Sequence, residues 1–272
     1  MLKKYNVITV VIPCFNDGHY LSDAVESVLQ CSNVKIEVII VNDGSNDSFT
    51  ISVLNKFHEE GIMVINQPNQ GLGSARNTGI KKSTYDIILP LDADNRIIPS
   101  YITKGLYFLK AQKCDIVYGS PEFFGENISS RKFQTRTFGG SDLLYGNYID
   151  ACAIFKKSVW EKVGGYDEKM PYQGYEDWDF WLRCFFHDYR FQFINERSFY
   201  YRISSHSMIG KSGAEVFEET RNYLFLKYKN QIIKRFNQSY VYESMYINDH
   251  AKPLRSSLKY FAKFLKNWIG FR

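Results

Sequence analysis

No stretch of this chain is apolar for long enough to cross a bilayer as a helix. The opening Met1-Leu-Lys-Lys-Tyr-Asn6 runs straight into a short strand pattern and lacks the apolar core of a signal peptide. Cysteine is sparse: Cys14, Cys31, Cys114, Cys152 and Cys184 are scattered, odd in number, and never at metal-ligand spacing, which excludes a disulfide framework and a zinc site. Reduced thiols in a cytoplasmic protein are expected. Charge of one sign is also missing from most of the chain. Residues 1–214 carry 23 Lys/Arg against 24 Asp/Glu, or −1, which speaks against a nucleic-acid-binding core. The formal net charge of +5 therefore belongs to residues 215–272, with 11 Lys/Arg against 5 Asp/Glu, or +6, a composition that suits an anionic surface. At 44% hydrophobic and 23% charged residues, disorder and fibrous classes are excluded as well. The 272 residues suffice for one large α/β domain or for a domain with a helical appendage.

What is present first is alternation. Val7-Ile-Thr-Val-Val-Ile12, bounded by Pro13, reads as a central strand, and Tyr20–Gln30 carries Leu21, Ala24, Val25, Val28 and Leu29 on one helical face. Ile36–Val41 is a second strand, ending in Asn42-Asp-Gly-Ser-Asn-Asp47 and followed by a helix over about Ser48–Glu60. Ile62–Ile65 and the apolar run within Asp86–Asn95 give a third and a fourth strand, with a helix around Ala75–Ile80 between them. Strands and helices alternating at this size imply a mostly parallel sheet with helices on both faces.

The fourth strand ends abruptly in Asp92 and Asp94. In an open parallel sheet, ligands gather at the carboxyl ends of strands. Hard oxygens spaced i and i+2 there suit Mn²⁺ or Mg²⁺ carrying a diphosphate. Taken alone, Asp-Ala-Asp-Asn is equally a solvated turn that caps the next helix. Gly71-Leu-Gly-Ser-Ala-Arg76 comes close to a dinucleotide fingerprint, but Arg76 stands where the third glycine belongs and no strand runs directly into the turn. A helix start whose Arg76 faces an anion is the more natural reading.

Four motifs now stand in order: Val11-Ile-Pro-Cys-Phe-Asn, Val41-Asn-Asp-Gly-Ser, Asn69-Gln-Gly-Leu-Gly-Ser-Ala-Arg-Asn-Thr-Gly and Leu91-Asp-Ala-Asp-Asn. Together they resemble the nucleotide-binding half of the inverting family 2 glycosyltransferases, which have the GT-A fold. The resemblance implies that Phe15 lines or stacks on the base, with Pro13 and its neighbours offering backbone groups. It implies that Asp43 accepts a hydrogen bond from the base, which favours uracil, although Asn42 replaces the first acid of that motif. Arg76 would face the nucleotide's anionic side or hold the loop. Asp94 would be the direct metal ligand, with Asp92 nearer the ribose or behind the metal.

Beyond residue 95 the pattern loosens. Ile97–Gln112 reads as a helix begun by Pro99, Cys114–Gly119 as a strand, and Glu122–Gly140 as irregular, assigned to acceptor-side loops. Ala151–Phe155 is a further strand and Ser158–Val163 a short helix. Gln173-Gly-Tyr-Glu-Asp-Trp-Asp-Phe-Trp-Leu-Arg183 starts a helix with acids where the dipole favours them and with Trp178, Trp181 and Leu182 on its buried face. By the resemblance, Asp177 is the catalytic base, Glu176 supports it and Arg183 is structural. Phe199-Tyr-Tyr-Arg202 resembles the family's closing strand, and His206 in the loop after it is a candidate metal or phosphate contact. Phe217–Lys229 is helical, and Ser256–Arg272 places Leu258, Phe261, Phe264, Leu265, Trp268 and Ile269 at helical spacing among Lys259, Lys263 and Lys266. Such a helix lies on an anionic membrane, or packs on the domain or on a second copy in a homodimer.

The expectation is a GT-A α/β domain over 1–214, divided into a nucleotide-sugar half (1–95) and an acceptor and catalytic half (96–214), with a basic helical extension over 215–272. It would use Mn²⁺ or Mg²⁺ to move a sugar from a nucleotide sugar, UDP first, to a hydroxyl of a glycan or glycolipid acceptor. It would work in the cytoplasm or on the inner membrane face. Two rivals remain. A sugar-phosphate nucleotidyltransferase should show a Gly-rich, basic loop after the first strand, and Pro13-Cys-Phe-Asn-Asp-Gly18 is not one. A non-catalytic scaffold would have lost its acids, yet Asp43, Asp92, Asp94, Glu176 and Asp177 are all present.

Overall fold

β1 (Val7–Cys14) lies in the middle of the first half because it can be buried on both faces: Ile8, Val10, Val11 and Ile12 are inaccessible to solvent. A near-continuous apolar run is what a strand with parallel neighbours on both sides requires. Those neighbours are β2 (Lys35–Asp43), in register from Val7 with Lys35 to Cys14 with Asn42, and β4 (Ile87–Pro90). β3 (Met63–Gln67) adds to the outer edge of β2, again parallel. The computed structural model describes residues 6–111, 113–126, 128, 133–204 and 213–269, with the side chains up to residue 262.

Helices cover this parallel half. α1 (Gly18–Leu29) buries Leu21, Ala24, Val25 and Val28. α2 (Ser48–Glu59) is capped by Asp47, whose side chain accepts from the amides of Phe49 and Thr50. α3 (Leu72–Lys82) approaches the sheet so closely at Gly79 that a Cβ there would lie 2.3 Å from Val11 Cγ1.

The remaining elements are β5 (Arg96–Ile97), α4 (Pro99–Lys110), β6 (Ile116–Gly125), a 3₁₀ turn (Ser141–Leu144), β7 (Ile154–Lys156), α5 (Lys157–Val163), α6 (Glu176–Phe186), β8 (Phe191–Ile203), α7 (Ala214–Lys227), α8 (Lys229–Ala251) and α9 (Pro253–Ile269). One eight-stranded sheet results, in the order β3-β2-β1-β4-β7-β6-β8-β5. β7 is antiparallel to both β4 and β6, and β5 is antiparallel to β8, so the parallel half expected from sequence continues into a mixed one.

Several expectations change here. The long helix begins at Pro99, because Arg96 and Ile97 are taken up as β5 against Phe199 and Tyr200. β6 runs to Gly125, through part of the stretch read as irregular, with its register shifting on either side of Ser120 to pass Pro121. β8 begins at Phe191, ahead of the expected Phe199, because ten β6 residues pair with it. α8 falls within the helical extension expected over 215–272, although no helix was assigned to it by itself, and none of its residues is buried. His206 lies outside the described residues. The chain forms two compact units, Met1–Asn222 and Tyr223–Arg272, which meet within α7.

Candidate active site

Each strand of the parallel half ends in a loop with polar side chains, and all four loops open on the same edge of the sheet. At the end of β2, the Asp43 carboxylate accepts from Gln67 Nε2 (2.7 Å) and from the amides of Gln70 (2.9 Å) and Gly71 (2.9 Å). That buried acid therefore holds the β3–α3 loop in place with three of the roughly four acceptor directions a carboxylate offers. Asn42 ties the same edge together, donating to Asn66 Oδ1 and accepting from the Ser45 amide. Pro13 is buried in β1, and the Phe15 ring just beyond it stands 44% exposed.

The β4 loop brings two carboxylates against a third that sequence reasoning left unassigned. Asp94 is deeply enclosed, and burial, then the charges of Asp92 and Asp17, push its pKa up to about 7. Asp17, in the turn between β1 and α1, is raised to about 6 by burial and by Asp92. Arg202 of β8 reaches the same loop, with its amide on Asn95 Oδ1 (2.9 Å) and its Nε on the Asp94 carbonyl (3.2 Å). The signal for Asp17 was available, since it too is an acid at a strand end; Arg202 was visible only as part of the closing strand.

Arg76 lies at the centre of the site. It is 1% exposed, and its guanidinium spans two carboxylates, with Nη2 on Asp92 (2.6 Å) and Nη1 on Glu176. Burial opposes its charge, but Asp92 and then Glu176 outweigh that and keep it protonated. Its side chain bridges two loops through these ion pairs. It joins the β4 loop of the first half to the start of α6 in the second. Asn77, next along α3, donates to the Tyr166 carbonyl (2.9 Å) and accepts from Trp160 Nε1 and the Tyr166 amide. Gly71, at φ +88°, brings the start of α3 so close to Gln173 that a Cβ would lie 2.6 Å from its Oε1.

α6 presents its acids at its N-terminal end because its other face is anchored. Trp178 Nε1 donates to the Leu143 carbonyl (2.7 Å) and Trp181 Nε1 to that of Ile149 (3.0 Å), while Trp178 stacks on Phe217. Glu176 accepts from the Gly174 amide (2.8 Å) as well as from Arg76. Asp177, 9% exposed, accepts from Asn147 Nδ2 (2.9 Å) and from the Trp178 amide (2.7 Å). Burial, then Glu176 and Asp150, drive its pKa well above the ordinary carboxylate value, with Arg76 pulling the other way. Neither Asn147 nor Asp150 carried a sequence signal. Arg183 binds Asp179 (2.6 Å) and the Val163 carbonyl (2.6 Å), a structural role.

A bound cation would help such an edge hold an anionic ligand. Asp17, Asp92 and Asp94 crowd negative charge together, and hard oxygen donors of this kind suit a small divalent ion. Among the described residues no three His, Cys, Asp or Glu side chains stand close enough to enclose an ion by themselves. Asp94 and Asp92 could hold one only with further oxygens from a ligand or from water, the usual situation for Mg²⁺.

The family model for glycosyl transferase family 2 matches residues 9–187, a span that takes in every acid described above. The chain belongs to glycosyl transferase family 2. Its family 2 domain is 33% identical over 178 residues to the poly-beta-1,6-N-acetyl-D-glucosamine synthase of Staphylococcus aureus (strain COL), covering 60% of this chain and 42% of that protein. It is 28% identical over 195 residues to an uncharacterized glycosyltransferase of Rickettsia bellii, covering 66% of this chain and 28% of that protein. The chain thus matches less than half the length of these curated relatives. The crystal structure of S. aureus TarS 1-349 in complex with UDP-GlcNAc matches with a TM-score of 0.65 at 17% identity, over 80% of this chain and 65% of that chain. That likeness is one of fold, and the fold is GT-A.

Proposed function

We propose that this family 2 domain is a metal-dependent, inverting glycosyltransferase that moves a sugar from a UDP-sugar to a hydroxyl of a glycan or glycolipid acceptor in cell-surface polysaccharide synthesis. The observation that carries the reading is the pairing of two acidic centres through one buried cation: Asp92 at a strand end and Glu176 at a helix start share Arg76, which ties the loop that bears Asp94 to the helix start that bears Asp177. The synthase and the UDP-GlcNAc complex among its relatives support an N-acetylhexosamine donor.

Each residue then has a task. Phe15 lines the base, and Asp43, which already fixes the β3–α3 loop, offers its remaining acceptor direction to a uracil N–H. Asp94, with Asp92 beside it, would hold Mn²⁺ or Mg²⁺; bound there, the ion offsets charge gathering on the leaving diphosphate. Asp177 takes the proton of the acceptor hydroxyl as that oxygen attacks the anomeric carbon. Its raised pKa suits the task, because a more basic carboxylate is a better proton acceptor. Asn147 and the Trp178 amide hold Asp177 in one orientation. Attack from the side opposite the diphosphate is a single displacement and inverts the centre.

The test is Asp177→Asn, which keeps size and one of the two accepted hydrogen bonds but removes the base. Release of UDP from UDP-N-acetylglucosamine, measured with poly-β-1,6-N-acetylglucosamine oligomers as acceptor, should fall by roughly a hundred- to ten-thousand-fold. UDP affinity by calorimetry should stay within about twofold of the unmutated protein, because in this reading Asp177 serves the acceptor and not the nucleotide. Unchanged turnover would refute the base assignment.

A further inference from the structure

The unit Tyr223–Arg272 differs from the rest of the chain in charge and in surface. It carries 10 Lys/Arg against 2 Asp/Glu, or +8, while residues 1–222 carry 24 against 27, or −3. Its main helix, α8, buries none of its 23 residues. Ile233, Phe236, Tyr240 and Ile247 follow one another at spacings of three, four and seven residues, so they form one stripe along α8, and each is more than half exposed. α9 repeats the pattern with Leu254, Leu258 and Phe261, also more than half exposed, beside Arg255 and Lys259. The corner between the helices is closed at Asp249, which accepts from Ser256 Oγ (2.7 Å) and Tyr260 Oη (2.6 Å). Their stripes are not used in closing it. Apolar area of this extent on a soluble surface marks a site of association.

Charge decides what covers it. A second copy would bring +8 against +8, and an aqueous protein partner would have to match both a long apolar stripe and a dense cationic one. An anionic bilayer offers both at once: lipid tails for Ile, Leu and Phe, the headgroup layer for Tyr rings, and negative charge for Lys and Arg. No helix among the described residues is long and apolar enough to cross a membrane, so contact would be along the surface. We propose that Tyr223–Arg272 is a membrane-docking unit that lays α8 and α9 on an anionic lipid surface. The sequence pointed only to residues 256–272; the exposed stripe on α8 extends the docking surface to that helix. The proposal stands apart from the sugar-transfer reading, and either can fail alone.

Flotation of the full chain with phosphatidylcholine vesicles, with and without phosphatidylglycerol, tests it. Binding is expected only with the anionic lipid and should weaken at least tenfold on raising the salt, as screened surface charge requires. Ile233→Glu combined with Tyr240→Glu should lower binding at least tenfold while helix content by circular dichroism is retained. Should that variant misfold, Lys234→Glu with Lys259→Glu, both on polar positions, reads the same surface through charge. Binding that is absent, equal on neutral vesicles, or unaffected by these substitutions overturns the proposal. So does a solution dimer that Ile233→Glu dissociates in a chain that ignores vesicles.

Discussion

Arg76 carries the argument at the scale of single residues. A buried guanidinium between two carboxylates is not by itself strongly stabilising, but removing it leaves two acids unpaired, one of them fully enclosed. Arg76→Met should therefore lower unfolding free energy by about 3 kcal/mol in urea titrations. It should also weaken UDP binding, because Asp92 loses the partner that orients it. A stability loss within error of zero would mean that the two loops are held by other contacts. Asp177 gives a second prediction. Its pKa lies above the ordinary carboxylate value, so the proton-accepting form is lost as pH falls through that raised value. Turnover should rise with pH along an acid limb above the usual carboxylate range, and Asp177→Asn should erase that limb. An acid limb at an ordinary carboxylate pKa would contradict the burial of this site.

Elements set where these residues stand, and two of them give clean tests. α3 holds Arg76 and Asn77 against the second half only because it sits tight on β1 and β2 at Gly79, where Val11 and Val41 leave no room for a methyl group. Gly79→Ala should cost about 1–3 kcal/mol through overpacking, despite the better helix propensity of alanine. A stabilised variant would show that α3 can lift without penalty. Where β6, β7 and β8 converge, Asp115 binds Lys156 (2.7 Å) and Arg190 (3.1 Å). Burial alone would raise its pKa, yet hydrogen bonds from Arg190 and Lys156 lower it from 3.8 to about 2. A depressed carboxylate stabilises the fold above its unfolded value and loses that contribution as pH falls through the folded one. The thermal midpoint of Asp115→Asn should therefore lie below that of the unmutated protein at neutral pH. The gap should close between pH 3.8 and about 2. A gap independent of pH would place the effect elsewhere.

Across the whole molecule, legibility followed burial. The first four strands could be read because their apolar runs end sharply in polar loops, and a strand buried on both faces cannot hide its composition. The acids of the site were legible for the same reason: Asp43, Asp92, Asp94 and Asp177 each stand where a regular element stops or begins. The second half was harder. β5 is two residues long, β6 passes through Gly119 and Pro121 with its register shifting on the way, and most of β8 becomes a strand by pairing with β6 rather than by its own pattern. α8 buries none of its residues, and its stripe of Ile233, Phe236, Tyr240 and Ile247 is blurred in the sequence by other apolar residues such as Val241, Tyr242 and Met245. Asn147 and Asp150 act only through folding that brings them to Asp177, which no local pattern records.

The measurement closest to the central claim is a thermal-shift titration of the chain with UDP, in Mn²⁺ and in EDTA, beside GDP, dTDP and CDP. A ligand that binds only the native state raises the midpoint. The account predicts a rise with UDP that needs the metal and disappears in Asp94→Ala. A chain that ignores UDP in Mn²⁺, or binds it equally in EDTA, would contradict it.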